Sequence, residues 1–170
     1  MFVVIISDIH DNLTNLKKSL SWCKKNQVER LICCGDVCNS DTLKYLADNF
    51  AGTIDLVLGN MELYEEKEIS RYKNINYLGL FGIINLAGKK IGICHKPELI
   101  AKVKEFGHCD LIFYGHTHQP WIREEEGVLI ANPGTLGGVF FKASLAIWNS
   151  QTGGLELKIL ELMNNGLIEN

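Results

Sequence analysis

Five short apolar runs in this chain end on the same kind of chemistry. Residues 2–7, 30–34, 53–58, 89–94 and 109–114 are strand-length stretches rich in Val, Ile, Leu and Cys. Each gives way to carboxylate, amide or imidazole: Asp8-Ile9-His10, Gly35-Asp36, Gly59-Asn60, His95 and Gly115-His116-Thr117-His118. In open α/β sheets, ligands bind in the crevice beyond the carboxyl ends of strands. Five such ends delivering these groups to one edge form a metal-site constellation. The two-residue spacing of Asp8 and His10, and of His116 and His118, aims each pair from one face of an extended stretch.

The rest of the first half supports that placement. Leu13, Leu16, Leu20 and Cys23 follow helical spacing, with Asp11 or Asn12 as the N-cap. Asp41 is placed to cap a second helix carrying Leu43, Leu46, Ala47 and Phe50. The order strand–helix–strand–helix–strand predicts a parallel sheet with helical crossovers. In the second half, residues 80–86 and 89–94 flank a hairpin signal at Ala87-Gly88, and Pro97 opens a helix running to about Phe106. Segments near 120–125, 128–131, 139–148 and 155–161 read as antiparallel strands. The expected fold is α/β, with two sheets packed face to face and helices outside.

Carboxylate, amide oxygen and neutral imidazole form a mixed oxygen and nitrogen donor set. It suits Mn, Fe, Co, Ni or Zn rather than Ca or a thiolate-seeking ion. If two ions sit ~3.5–4 Å apart, one carboxylate must bridge them. Two divalent ions bring four positive charges; Asp8, Asp36 and a bridging hydroxide remove three, so the site stays positive and attracts a phosphate anion. Glycine before Asp36 and Asn60 permits tight turns and close backbone approach. Taken singly, these residues have ordinary readings as a helix cap, turns and structural histidines. Four of the five histidines nevertheless fall in the clusters; the fifth, His108, sits in a turn before Cys109-Asp110 and reads as structural.

A chain of 170 residues with 46% hydrophobic and 22% charged residues fits one domain, residues 1–170. A net charge of -3 gives no broad surface for nucleic-acid backbone and no attraction to an anionic membrane. No apolar stretch is long enough to span a bilayer, and the six apolar residues before Ser7 are too few for a signal-peptide core, so a cytoplasmic location is expected. The six cysteines form no C-x-x-C pair. Cys33, Cys34, Cys94 and Cys109 read as small buried hydrophobes of a reducing compartment. A zinc site at Cys34 and Cys38 is the weaker alternative. Phe140, Phe141 and Trp121 form either an exposed apolar patch, and so a homo-oligomer face, or part of the core.

The ordered set Ser7-Asp8-Ile9-His10, Gly35-Asp36, Gly59-Asn60, His95, Gly115-His116-Thr117-His118 and Asn132-Pro133-Gly134-Thr135 resembles the calcineurin-like metallophosphoesterase superfamily. Chain length and the Asn-Pro-Gly-Thr segment resemble its small single-domain phosphodiesterases. The resemblance runs from residue 3 to about residue 148. It implies a four-layer α/β/β/α sandwich of two mixed sheets flanked by helices, and hydrolysis of a small phosphodiester, or an activated phosphomonoester, by a metal-bridging hydroxide. It further implies two divalent ions, Mn foremost, with Ni, Co, Fe or Zn as alternatives. Carried over by motif, the first is held by Asp8, His10, Asp36 and His118, and the second by Asp36, Asn60, His95 and His116. Asp36 is then the bridge, and Asp36, Asn60 and His95 are the expected catalytic residues.

The chain departs from that pattern in three places. Met61 stands where many members have His, Lys96-Pro97 follow His95 in place of Gly, and Asp11 follows His10 in place of Gly. Glu62 keeps the acidic residue of its motif. Met61 carries no proton for a leaving group, Lys96 reads as solvated, and Asp11 as a helix cap. The same family resemblance includes the phosphoesterase-fold subunit of the retromer coat, a protein-binding scaffold with an impaired site. In this sequence no inferred ligand is replaced by a non-coordinating residue.

Overall fold

The computed structural model describes residues 1–163. The last seven residues of the expected domain lie outside them. The strands are β1 (Phe2–Ile6), β2 (Arg30–Cys33), β3 (Thr53–Leu56), β4 (Ile75–Tyr77), β5 (Phe81–Leu86), β6 (Lys89–Cys94), β7 (Leu111–Phe113), β8 (Trp121–Glu125), β9 (Val128–Asn132), β10 (Ser144–Asn149) and β11 (Leu155–Ile159). The helices are α1 (Leu13–Lys25), α2 (Ser40–Asn49), α3 (Glu66–Ile69) and α4 (Ile100–Phe106). One sheet runs β11-β10-β1-β2-β3-β4 and the other β5-β6-β7-β9-β8.

Period-two alternation sorts the core into layers. On the first sheet Val4, Ile6, Leu31, Cys33, Ile54 and Leu56 face the helices and meet Leu16, Leu20, Leu43 and Leu46. Their neighbours Val3, Ile5, Ile32 and Cys34 face the other way and pack on Ile91, Ile93, Leu111 and Phe113 of the second sheet. On that sheet's far side Cys94, Ile112 and Ile130 receive Ile100 and Val103 of α4. The result is the expected order of helices, sheet, sheet and helix. All six cysteines are buried free thiols.

Strands β1, β2, β3 and β4 are mutually parallel, as are β6, β7 and β9. Two hairpins are closed by residue pairs at positive φ, Ala87-Gly88 and Glu126-Gly127, the backbone that matches the strand twist. Several expectations shift. Strand β9 pairs parallel with β7, and β10 crosses to the first sheet, where it runs antiparallel to β1. The expected strand from 139 begins only at Ser144, because residues 139–143 bend through Phe140 at φ 64°. Pro97 opens a 3-10 turn, Pro97–Leu99, and α4 follows it. Asn12, not Asp11, caps α1 through Asn15 N. Asn39, not Asp41, is the N-cap residue of α2; Asp11 accepts its N–H at 2.9 Å and the Thr42 hydroxyl at 2.6 Å.

The first sheet carries one charged group in its interior. Asp55 is fully buried on β3. Arg30 of β2 donates to it through Nε at 2.6 Å and Nη2 at 2.8 Å, and Asn76 of β4 donates at 2.7 Å. Removing one member of a buried pair strands the other's charge. Asp55→Ala is therefore expected to cost about 3 kcal/mol, read as a lower urea midpoint. An unchanged midpoint would mean that this three-strand tie carries no stability.

Candidate metal centre

All five polar clusters lie directly beyond the carboxyl ends of parallel strands β1, β2, β3, β6 and β7. The two sheets thus empty their donor groups into one place. The backbone there is not extended: Asp8, His10, Asp36, His116 and His118 all have φ between 45° and 69°. Outside glycine this region is sparsely occupied, and Asp and His are among the residues that tolerate it best. The turns split one expected pair, for His118 joins His10 and Asp8, while the His116 ring sits edge-on to His95 with centroids 5.2 Å apart.

Two sets of donor atoms each gather within 4.8 Å: Asp8 with His10 and His118, and Asp8 with Asp36 and His95. Asn60 joins through Oδ1, 3.1 Å from His95 Nε2. His116 also reaches the site through its backbone N–H, which donates to Asp8 Oδ2 at 3.0 Å. Asp8, Asp36, His95 and His118 are buried, His10 and His116 are half-buried, and Asn60 is exposed. Among the described residues no cysteine belongs to either set, although the Cys38 thiol lies 3.6 Å from His10 Nδ1.

Outer hydrogen bonds fix which ring nitrogens face inward. His95 Nδ1 donates to Cys34 O at 2.7 Å, and His118 Nδ1 donates to Val139 O at 3.1 Å. In the neutral rings both Nε2 atoms are then lone pairs. His118 Nε2 faces Asp8 Oδ1 at 3.2 Å and His10 Nε2 at 3.1 Å. His95 Nε2 faces Asp36 Oδ2 at 3.4 Å and Asn60 Oδ1 at 3.1 Å. Asp8 Oδ1 is buried with no hydrogen-bond partner. Acceptors converging on acceptors is unfavourable unless a cation or a proton lies among them. This is the environment that divalent ions fit.

Protons fill that role when metal does not. His10 titrates above its ordinary value, driven by its bond to Asp8 and by Asp36 against the cost of burial. Burial lowers the value of His95, but the bond and charge of Asp36 raise it further. Burial opposes the charge of Asp36, yet His95, the Met61 N–H and His10 hold its carboxyl below the usual range.

Supporting residues interlock the loops. Glu62 accepts from Val37 N at 3.2 Å, Cys38 N at 2.8 Å and Gly59 N at 3.1 Å, tying the β2 loop to the β3 loop. Burial raises its pKa against those three donors. Asn132 donates to Gly115 O and Thr117 Oγ1, and the Thr135 hydroxyl donates to Asp8 O. The sequence carried a signal for these residues in the motifs, without their roles. A Cβ on Gly59 would fall 2.0 Å from Asp36 Oδ1, and one on Gly115 would fall 1.9 Å from Ser7 Oγ, so close approach requires both glycines. Met61 is half exposed, Lys96 is exposed, and no membrane-length apolar helix occurs among the described residues.

Comparison with known proteins agrees with this geometry. The chain is 29% identical over 143 residues to a phosphodiesterase of Methanocaldococcus jannaschii, covering 81% of this chain and 86% of that protein. A solved archaeal phosphodiesterase superposes with a TM-score of 0.84 at 24% identity, over 94% of this chain and 99% of that one. Vacuolar Protein Sorting 29 of Cryptosporidium parvum shares the fold at a TM-score of 0.63 and 19% identity, over 92% and 95% of the two chains. The family model described as the calcineurin-like phosphoesterase superfamily domain matches residues 1–153, and the chain therefore belongs to the calcineurin-like phosphoesterase superfamily.

Proposed function

We propose that this chain is a metal-dependent phosphoesterase that hydrolyses phosphodiesters, or phosphomonoesters with activated leaving groups. One observation carries the reading: Asp36 Oδ2 lies 3.7 Å from His10 Nε2 and 3.4 Å from His95 Nε2, between the two donor sets. One oxygen so placed supports a bridging role. In this reading Asp8, His10, Asp36 and His118 hold one divalent ion, and Asp36, Asn60, His95 and His116 hold the other, with Mn foremost. Such ions would acidify water into a nucleophile and neutralise charge on the phosphoryl oxygens.

The residues themselves do the rest. Asp36 keeps Oδ2 free because its Oδ1 accepts the Met61 N–H at 2.9 Å. Cys34 O and Val139 O hold His95 and His118 as neutral ligands with Nε2 inward. Met61 offers no proton to a leaving oxygen, so good leaving groups are favoured. The complete donor set argues against the scaffold reading. Six buried thiols support a reducing cytoplasmic location, and we treat residues 1–170 as one domain.

Metal removal is the first test. Chelator-treated protein should fail to hydrolyse bis-p-nitrophenyl phosphate and recover best with Mn, Ni or Co. Turnover by the metal-free protein would overturn the proposal.

Protons and metal compete for His10 and His95, whose values lie above the ordinary ~6.5. The protonated rings stabilise the metal-free fold at low pH, and this contribution fades as pH rises through their folded values. Metal needs the neutral rings, so Mn affinity should increase over the same rise and binding should release protons. Calorimetry in two buffers of different ionisation enthalpy measures this. An affinity that does not change with pH would contradict it.

Asp36→Asn should be the most damaging ligand change, lowering turnover by more than about 100-fold, the upper end of what losing an outer-sphere partner costs. Metal content should fall at both positions, whereas Asn60→Ala should weaken one ion selectively. Wild-type metal content and turnover in Asp36→Asn would rule out the bridge.

A further inference from the structure

Phe140 is the most exposed large apolar side chain of the described residues, at 90%. Its ring nevertheless touches the candidate centre, with its centroid 5.7 Å from that of His118 and the planes tilted by 32°. The loop that carries it is anchored to the same histidine, since the preceding carbonyl, Val139 O, accepts from His118 Nδ1 at 3.1 Å. Phe140 also has φ 64°. For a bulky residue that is an outlier, whereas glycine would occupy the position freely. Folding explains neither property: so exposed a ring buries little apolar surface, and its backbone is strained. Residues held in such conformations cluster at ligand sites.

We propose that Phe140 is a stacking platform for a flat aromatic group borne by the phosphoester substrate, either an aryl ester or the base of a nucleotide. The inference rests on the phosphoesterase reading above. One side of the ring leans on His118 and the rest faces water, so a second ring can cover it in an offset stack. The phosphoryl group would occupy the donor cluster while its aromatic substituent reaches the rim. The mildly acidic chain, at net charge -3, favours a small substrate over a polynucleotide held by its backbone.

Full-length Mn-loaded protein is titrated calorimetrically with two pairs of ligands: phenylphosphonate against methylphosphonate, and adenosine 5′-monophosphate against ribose 5-phosphate. The aromatic member of at least one pair should bind about tenfold more tightly. The first pair reports an aryl source and the second a nucleobase. Phe140→Ala should abolish the preference, and Phe140→Tyr should keep it, which a purely structural role would not require. No preference in either pair, or one that survives in Phe140→Ala, overturns the platform and leaves the phosphoesterase reading intact. Failure of all four ligands to bind the wild type overturns both.

Discussion

Too many acceptors and too few protons meet at the carboxyl ends of the two sheets. His95 and His118 each spend their one neutral-state N–H on a backbone carbonyl, so their remaining nitrogens meet carboxylate and amide oxygens. In water such a cluster would be solvated; here four of its seven side chains are buried. A positive charge in the middle resolves the conflict. The fold therefore holds open a place for cations, and the acid–base behaviour of His10, Asp36 and His95 follows from what fills it.

Rigid support is what makes that arrangement tenable. The donors ride on loops, yet each loop leaves a buried strand and is tied to another loop. Glu62 joins the segments carrying Asp36 and Asn60, Thr135 holds the carbonyl of Asp8, and Asn132 holds the segment carrying His116 and His118. Asn132 and Thr135 are fully buried polar residues with their hydrogen-bonding groups engaged. Such networks specify one geometry because partial satisfaction is costly.

Layering and donor identity were legible in the sequence because each depends on a local pattern. β-branched runs mark buried strands, and the polar residue that ends each run marks the sheet edge. The seven expected donors do converge. What stayed hidden was non-local. Strand β4 is Ile-Asn-Tyr, too short for alternation to register, and α3 is a single turn. The return of β10 to the first sheet is decided by pairing with β1 across more than a hundred residues. Asp11 carries the signature of a local cap, but its partners Asn39 and Thr42 belong to the next helix. The turns at His10 and His118 rotate side chains that period-two reasoning had set on common faces.

Five of the seven donors occupy left-handed backbone, where an L side chain pays roughly 1–2 kcal/mol that glycine avoids. Those five are also among the groups whose mutual repulsion the empty cluster must bear. Mutational drift selected for stability alone would then run downhill toward glycine at Asp8, His10, Asp36, His116 and His118, shedding strain and repulsion together. A lineage that no longer needed ions here would lose the centre quickly and keep the sandwich. The intact set in this chain is thus a record of continuing use, written in residues that folding by itself disfavours.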